Sequence, residues 1–564
     1  MAKYTAGTYT SAPQGYRGKV PCKVTFTADA IKKVELEHNK EVRGIAWDLP
    51  TAPIDTFPGL IVKYQTLNIP VVVGAHVTSL AILAGVADCV KQAGGDPEAL
   101  KNGPSAAPAK MSDETITMDI VVVGGGIAGL SAGLSALQNG AKKVLLMEKQ
   151  GVTGGSTARS GGKLLASNTK WQKKQGIYDN PEMMLKYLQS IGGDALEVEK
   201  LKYFCDTAYD NMLWLEKTGY RVQDVEAIHK SIVPWRVHNT IGGGGMTNGQ
   251  GGELTTPLTH AFAKAGGVYS YNTTAAKLLT NDEGTVVGIV GNRSDGSVLT
   301  INAQAVIITT GGYSANREMG ARYPENAGYF TGVPHGNLGD GLKIATAVGA
   351  KNYDAPAMQS VYLHFGSGVG INEEAGLILS NKGIRVANEF SYMYHVGDAL
   401  SKNNSPIGWY IACPNDPHKT VQYAMTLSEK AGVFRAESVE ELAVMMGVDA
   451  NNLVKTVARY NELATKGNDI DFHKPAEFMY PLNGPLYFAL RMQISTTVTY
   501  GGLDIDMESR VRDVLNMPIK GLFAAGEVAF TGLYNREYPT CGSGIGLGLH
   551  YGRVAGRVAA SELK

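Results

Sequence analysis

Ile120-Val121-Val122-Val123-Gly124-Gly125-Gly126-Ile127-Ala128-Gly129 is the stretch that decides the fold. Four consecutive β-branched residues read as a buried strand. The glycines after them read as a turn, and the apolar spacing from Ile127 to Gln138 as a helix. Val144 to Met147 gives a second strand, so the segment opens a βαβ unit. Gly124 permits the tight turn, Gly126 lets backbone amides approach a pyrophosphate, and Gly129 lets the helix pack closely on its strand. Ile127 and Ala128 open the helix whose N-terminus faces the phosphates. Glu148 closes the second strand nineteen residues after Gly129, placed to accept hydrogen bonds from an adenosine ribose. The expected fold class is α/β with a Rossmann-like dinucleotide-binding domain.

Outward from this unit, residues 1–95 read as a small α+β domain, with strands at Lys23 to Phe26 and Ile31 to Glu37 and a helix at Thr78 to Lys91. Residues 96–114, rich in Gly, Pro, Ala and Ser, read as a linker. The dinucleotide domain then runs over 115–345, with strands at Thr285 to Asn292, Val298 to Asn302 and Ala305 to Thr310. Residues 346–486, with helices at Tyr423 to Ala431, Ser438 to Gly447 and Asn452 to Lys466, read as an inserted α+β lid. Residues 487–564 are expected to complete the first sheet.

Composition excludes several classes. The chain has 564 residues and 69 glycines, about 12% against a usual ~7%, with 23 prolines, so it is glycine-rich without being low-complexity. Lys and Arg total 52, as do Asp and Glu, which leaves no electrostatic footprint for nucleic acid. Five cysteines without CxxC spacing suggest neither a disulfide framework nor a zinc site, and no metal is expected. No run of about eighteen apolar residues occurs, and the first residues lack a basic segment followed by an apolar one. The expectation is a cytoplasmic protein without membrane insertion.

Met147-Glu148-Lys149 is followed by Gly154-Gly155-Ser156-Thr157-Ala158-Arg159-Ser160-Gly161-Gly162, a second loop of glycines and hydroxyls. This resembles flavoproteins of the fumarate reductase group. The resemblance implies FAD, with Lys149, Gly155, Ser156, Thr157, Ser160, Gly161 and Gly162 around the pyrophosphate and ribityl chain. It also implies that Thr310 and Gly311, in Thr309-Thr310-Gly311-Gly312, reach the adenine half. Glu527, in Ala525-Gly526-Glu527, would meet the ribityl hydroxyls, with Gly526 beside it and Gly544 and Ile545 also at the cofactor. The N-terminal residues, with Val73-Gly74-Ala75-His76-Val77-Thr78-Ser79, resemble the FMN-binding domain fused ahead of such flavoproteins. In that family a threonine stands where this chain has His76 and a serine where it has Val73, so the phosphoester acceptor is missing; Thr78 matches the motif's second threonine. A non-covalent FMN relay and a domain that only packs or mediates assembly remain the two readings.

In those enzymes hydride passes at flavin N5, and a side chain moves the proton at the other carbon. Fumarate reductases grip a dicarboxylate with arginine and histidine. The stretch Gly383-Ile384-Arg385-Val386-Ala387-Asn388-Glu389 resembles the family's, but Phe390-Ser391-Tyr392-Met393-Tyr394-His395 follows where the proton-donating arginine is expected. Val498 replaces the carboxylate-binding histidine, and Tyr538-Pro539-Thr540-Cys541 replaces the last arginine's stretch, although Arg536 lies three residues before Pro539.

Tyr538-Pro539-Thr540-Cys541-Gly542-Ser543-Gly544-Ile545-Gly546, with Tyr551-Gly552, is similar to the C-terminal pattern of the 3-ketosteroid dehydrogenases. That resemblance implies that Tyr538 and Gly542 bind a ketone oxygen and that Tyr392 or Tyr394 exchanges the proton. The expected substrate is a small ketone or enone, a steroid among the candidates, with the electron donor or acceptor unassigned. Reduction is favoured over desaturation because the appended domain typically feeds electrons to FAD. A reductase of a small unsaturated carboxylic acid using Arg536, and a flavin electron carrier without a small substrate, are the alternatives. His364 is a possible substrate contact; Trp235 and His238 carry no assigned role.

Overall fold

The computed structural model describes residues 2–15, 18–37, 39, 41, 52–72, 75–105, 111–226, 234–241, 250–322, 330–331, 336–353, 357–363, 376–391, 393–417, 422, 426, 432–535 and 538–563. The strand Glu114–Val123 lies inside an eight-stranded sheet. It runs parallel to Val144–Met147 on one side and to Val298–Ile308 on the other. Its last four residues are buried on both faces, as a parallel strand covered by helices requires. Val268–Ser270 extends one edge, and the antiparallel pair Thr273–Thr280 and Val286–Arg293 extends the other. The stretch expected as two strands, Val298 to Asn302 and Ala305 to Thr310, is one continuous strand, Val298–Ile308.

Pro518–Ala524 pairs in parallel with the end of that strand, so the C-terminal segment does complete the first sheet. The last helix, Ser543–Ser561, packs on Ile127–Gln138 through small residues. A Cβ on Gly552 would lie 2.3 Å from the Ala128 carbonyl oxygen, and one on Gly556 would lie 2.0 Å from that of Ala132.

A second sheet of six strands holds Leu377–Ser380, Ile407–Ala412, Val433–Ala436 and Ala357–Leu363 with the long strand Tyr487–Thr499. The return to the first sheet expected at 487 therefore falls after Thr499: Tyr487–Thr499 is bonded to three antiparallel neighbours of the second sheet. Helices Val439–Met446 and Ala450–Lys466 cover one face, while the helix expected at Tyr423 to Ala431 lies largely outside the described residues.

The N-terminal residues form a three-stranded antiparallel sheet, Gly7–Ser11, Cys22–Phe26 and Ile31–Leu36, against helices Pro53–Tyr64 and His76–Gln92. The first of these helices is not legible in the sequence, because Pro53 and Pro58 bracket its first turns; Pro53 is tolerated at the helix start. The unit meets the dinucleotide domain where Val152, like Ile54 and Val72, packs against the buried pair Ala52 and Ala75. The linker region contains the short helix Pro97–Lys101.

Candidate active site

Four chain crossings end at the carboxyl edge of the first sheet, the position where doubly wound folds bind their ligands. The Gly124 amide donates to the Met147 carbonyl (2.8 Å), that of Thr309 to Val123 (2.8 Å) and that of Ala525 to Ile308 (3.0 Å). Gly124, Glu148, Thr310 with Gly311, and Gly526 with Glu527 are thereby gathered on one rim. Gly129 is packed so closely that a Cβ would lie 1.8 Å from the Gly124 carbonyl oxygen.

Glu148 is buried, and its carboxylate accepts from the amides of Gly125 (2.7 Å) and Gln150 (2.8 Å). Burial raises its pKa, with the two amides opposing. Thr157 accepts from the Ile127 amide (3.3 Å), and Ser160 donates to the Thr157 carbonyl (2.6 Å) and accepts from Gly162. Gly155 and Ser156 open a short helix, and a Cβ on Gly155 would meet nothing within 4 Å. Lys149 is paired with Asp340.

Thr310 Oγ1 is buried without a partner beside Gly341, whose Cβ would lie 2.3 Å from it. Glu527 accepts from the Thr499 amide (2.9 Å) and hydroxyl (3.1 Å), and burial raises its pKa as well. A Cβ on Gly311 would approach Asn337 Oδ1 to 2.7 Å. Sequence reasoning missed Thr499 and Asn337; Thr499 adjoins Val498, and nothing in the pattern marks Asn337. An open glycine cradle, a buried carboxylate at the second strand end and an orphaned buried hydroxyl suit a dinucleotide with ribose and pyrophosphate groups.

The last helix begins at the same rim. Gly542 caps it at φ +86°, where a Cβ would lie 2.7 Å from the Leu164 backbone. Gly544 follows one residue inside, and its amide donates to the Tyr538 hydroxyl (2.9 Å). Burial pushes the Tyr538 pKa up to about 12, with Ser543 and Gly544 opposing through hydrogen bonds. Tyr538 stacks obliquely on Tyr534 (5.4 Å), which meets Tyr500 (5.6 Å) and Phe530 (4.9 Å). The spacing of four in Phe530, Tyr534 and Tyr538 was the available signal for this ladder. Ile545, in the first turn, packs on the main core, as does Val498.

Tyr392, Arg536 and His364 lie outside the described residues, as does Val73; Tyr394 is in the helix Met393–Lys402, and its side chain is not described. The approach to that helix is fixed by Phe390, which stacks on Phe478 at 4.6 Å. Trp235 is 42% exposed. His238 is buried between Thr169 Oγ1 (2.8 Å) and the Arg236 carbonyl (2.9 Å). Its pKa is lowered to about 4 by burial.

In the N-terminal unit His76 is exposed at the first turn of its helix, while the buried Thr78 is hydrogen-bonded to the Glu41 carboxylate. A carboxylate there has the wrong charge to neighbour a phosphate. Val73 and Gly74, the start of that motif, lie outside the described residues, so both readings of the unit stand. Among the described residues, no three His, Cys, Asp or Glu side chains are grouped to hold a metal ion, and no helix is long and apolar enough to cross a membrane.

The fold and rim define a flavoprotein of the dinucleotide-binding α/β class. The family model described as FAD binding domain matches residues 119–545; the chain belongs to that family, and its cofactor is FAD. The chain is 30% identical to a urocanate reductase of Eggerthella lenta over 99% of its own length and 92% of that protein. It is 31% identical to a fumarate reductase (cytochrome) of Shewanella frigidimarina, over 79% of this chain and 78% of that one. Among solved structures, a 3-ketosteroid-Δ4-(5α)-dehydrogenase from Rhodococcus jostii RHA1 in complex with 4-androstene-3,17-dione superposes with a TM-score of 0.67. That match has 28% identity and covers 79% of this chain and 97% of that one.

Proposed function

We propose that this protein is an FAD-dependent oxidoreductase acting on the CH–CH or C=C bond next to a ketone, as an enone reductase or, in reverse, a ketosteroid-type dehydrogenase. The observation that carries the reading is the Tyr538 hydroxyl, held by the Gly544 amide at the N-terminus of the last helix and adjoining Gly542. The matches to reductases of unsaturated acids and to a ketosteroid dehydrogenase support the carbon–carbon chemistry.

FAD, when bound, supplies the hydride exchange. The chain's own task is to polarise the carbonyl and deliver a proton. Tyr538 accepts from Gly544 and is hydrogen-bonded to Ser543, whose own hydroxyl donates to the Thr540 carbonyl; a bound ketone oxygen would take the Tyr538 O–H from Ser543, with the Gly542 amide as second donor. A phenol with a pKa near 12 is protonated at neutral pH, which suits a donor and not a base. The proton on the other carbon is assigned to Tyr392 or Tyr394, the second of these in the first turn of Met393–Lys402.

Anaerobic reoxidation of the reduced protein by a panel of enones and unsaturated acids tests this. Enone turnover that slows about tenfold to a thousandfold in Tyr538→Phe is expected. Turnover of fumarate or another acrylate, lost in Arg536→Ala, would replace this reading with the unsaturated-acid reductase suggested by the urocanate and fumarate relatives.

A further inference from the structure

The Tyr538–Gly542 turn is tied from behind to the helix Pro181–Gly192, far earlier in the chain. Asn535 Nδ2 donates to the Gly192 carbonyl (2.9 Å), and the Tyr187 hydroxyl donates to the carbonyl of Pro539, the residue after Tyr538. Tyr187 is itself held. The Arg236 guanidinium lies over its ring at 5.5 Å, and Arg236 is locked by a two-pronged bond to Asp179, Nε at 2.8 Å and Nη2 at 2.9 Å, with both side chains buried. Gln172 closes the frame, donating to Asp179 (3.1 Å) and to the Trp235 carbonyl (2.8 Å).

The frame also borders the other wall of the turn. The Ala166 amide donates to the Arg236 carbonyl, and Leu164 and Leu165, against which Gly542 is packed, pair with His238 and Val237. One buried ion pair thus sits behind both ends of the proposed carbonyl grip. An ordinary packing tyrosine satisfies its hydroxyl on whatever is near; this one bonds the peptide adjoining the donor phenol and rests on a fixed cation.

We infer that Tyr187 is a positioning residue for Tyr538: by fixing the Pro539 carbonyl from the Asp179–Arg236 pair, it sets the direction in which the Tyr538 hydroxyl meets a ketone oxygen. The inference rests on the carbonyl-binding reading above. A side chain that touches no substrate acts here through geometry, and displacement of a donor by a fraction of an ångström weakens its bond to a developing oxyanion.

The test uses the FAD-loaded full chain. Tyr187→Phe removes the hydroxyl and leaves the ring under Arg236. Enone-driven reoxidation should slow about tenfold in its limiting rate with little change in KM, whereas reoxidation by ferricyanide, which needs no carbonyl grip, is unchanged. In a Tyr538→Phe background the same substitution should cost nothing further. A Tyr187→Phe rate equal to that of the parent, or a loss that adds in full to that of Tyr538→Phe, overturns the inference.

A second measurement separates it from the reading it rests on. With 3-fluorotyrosine at position 538, the fluorine resonance should move when Tyr187 becomes Phe, in the absence of any substrate. An unmoved resonance overturns the positioning role. If Tyr538→Phe leaves enone turnover untouched while the resonance moves, the carbonyl reading falls and the positioning of Tyr538 by Tyr187 stands.

Discussion

The nucleotide rim and the core of the second sheet solve opposite problems. At the rim and along the helix seam behind it, backbones approach because side chains are missing: Gly129, Gly552 and Gly556 lie where a Cβ would meet a carbonyl oxygen at 1.8 to 2.3 Å. In the second sheet, charges are taken out of water. Arg385 donates to both carboxylate oxygens of Glu389 (2.9 and 2.7 Å) and to Asp469 (2.7 Å). The buried Lys474 ammonium donates to the Gly376 carbonyl (2.7 Å) and lies 3.6 Å from Glu389. The first arrangement tolerates no substitution by addition. The second tolerates none by subtraction, since removing one partner leaves the others buried and uncompensated.

The largest effect is expected at the rim. Gly129→Ala places a methyl against backbone, which no rotamer relieves, so the turn must open by an ångström or more. The purified variant should carry no flavin absorbance and should unfold at lower temperature than the parent. Retention of FAD at full occupancy would break the contrast between the two regions.

Next is the ion cluster. Glu389→Gln should destabilise the protein by roughly 3–5 kcal/mol in urea titrations, because Arg385 and Lys474 lose their shared anion. Replacing Arg385, Glu389, Asp469 and Lys474 together with apolar residues of similar volume should recover much of that loss. Equal losses in the single and combined variants would show that packing, and not charge, is what the cluster supplies.

These two regions also differ in how far they were legible from the chain. Glycines at 124, 126 and 129 directly after four β-branched residues suit little besides a nucleotide-binding turn, so the strand, turn and helix followed from local pattern alone. Arg385 and Glu389 were visible only as members of a family-like stretch with no pairing assigned, and Asp469 and Lys474 not at all: charged residues in a sequence read as solvated, and the burial of Arg385 is decided by a partner 84 residues away. The boundary expected at 487 falls one strand too early for the same reason, since pairing partners are a long-range choice that the local pattern does not record. The Tyr538 turn stands between these extremes. Its residues were legible, and its buttress, Tyr187 with Arg236 and Asp179, was not.

A third effect probes that middle ground. If Tyr538 is a donor with its pKa pushed up to about 12, enone turnover should show no ionisation attributable to it from about pH 6 to about pH 10. Tyr538→Phe should then lower the rate by a constant factor across that range, about a hundredfold, in stopped-flow measurements. A factor that changes tenfold per pH unit would mean that phenolate is the active form and that the turn supplies a base.

The smallest effect lies at the seam behind the turn, where His238 is buried as a neutral ring with its pKa lowered to about 4. Unfolded histidine binds a proton near pH 6.5, so between that value and about pH 4 the unfolded chain binds more protons than the folded one. The stability owed to neutral His238 is therefore fully present above pH 6.5 and is lost as pH falls toward 4. By about pH 5.5 the loss is roughly 1 kcal/mol. His238→Asn removes this titration while keeping a side chain that can bond Thr169. Urea titrations at about pH 7.5 and about pH 5.5 should then show a smaller acid loss in the variant than in the parent, by that same roughly 1 kcal/mol. The buried His550, lowered to about 3, titrates in the same direction in both proteins and cancels from the difference. Identical acid losses would mean that the cavity around His238 accepts a proton without opening, and that the seam is less tightly closed than the rim it supports.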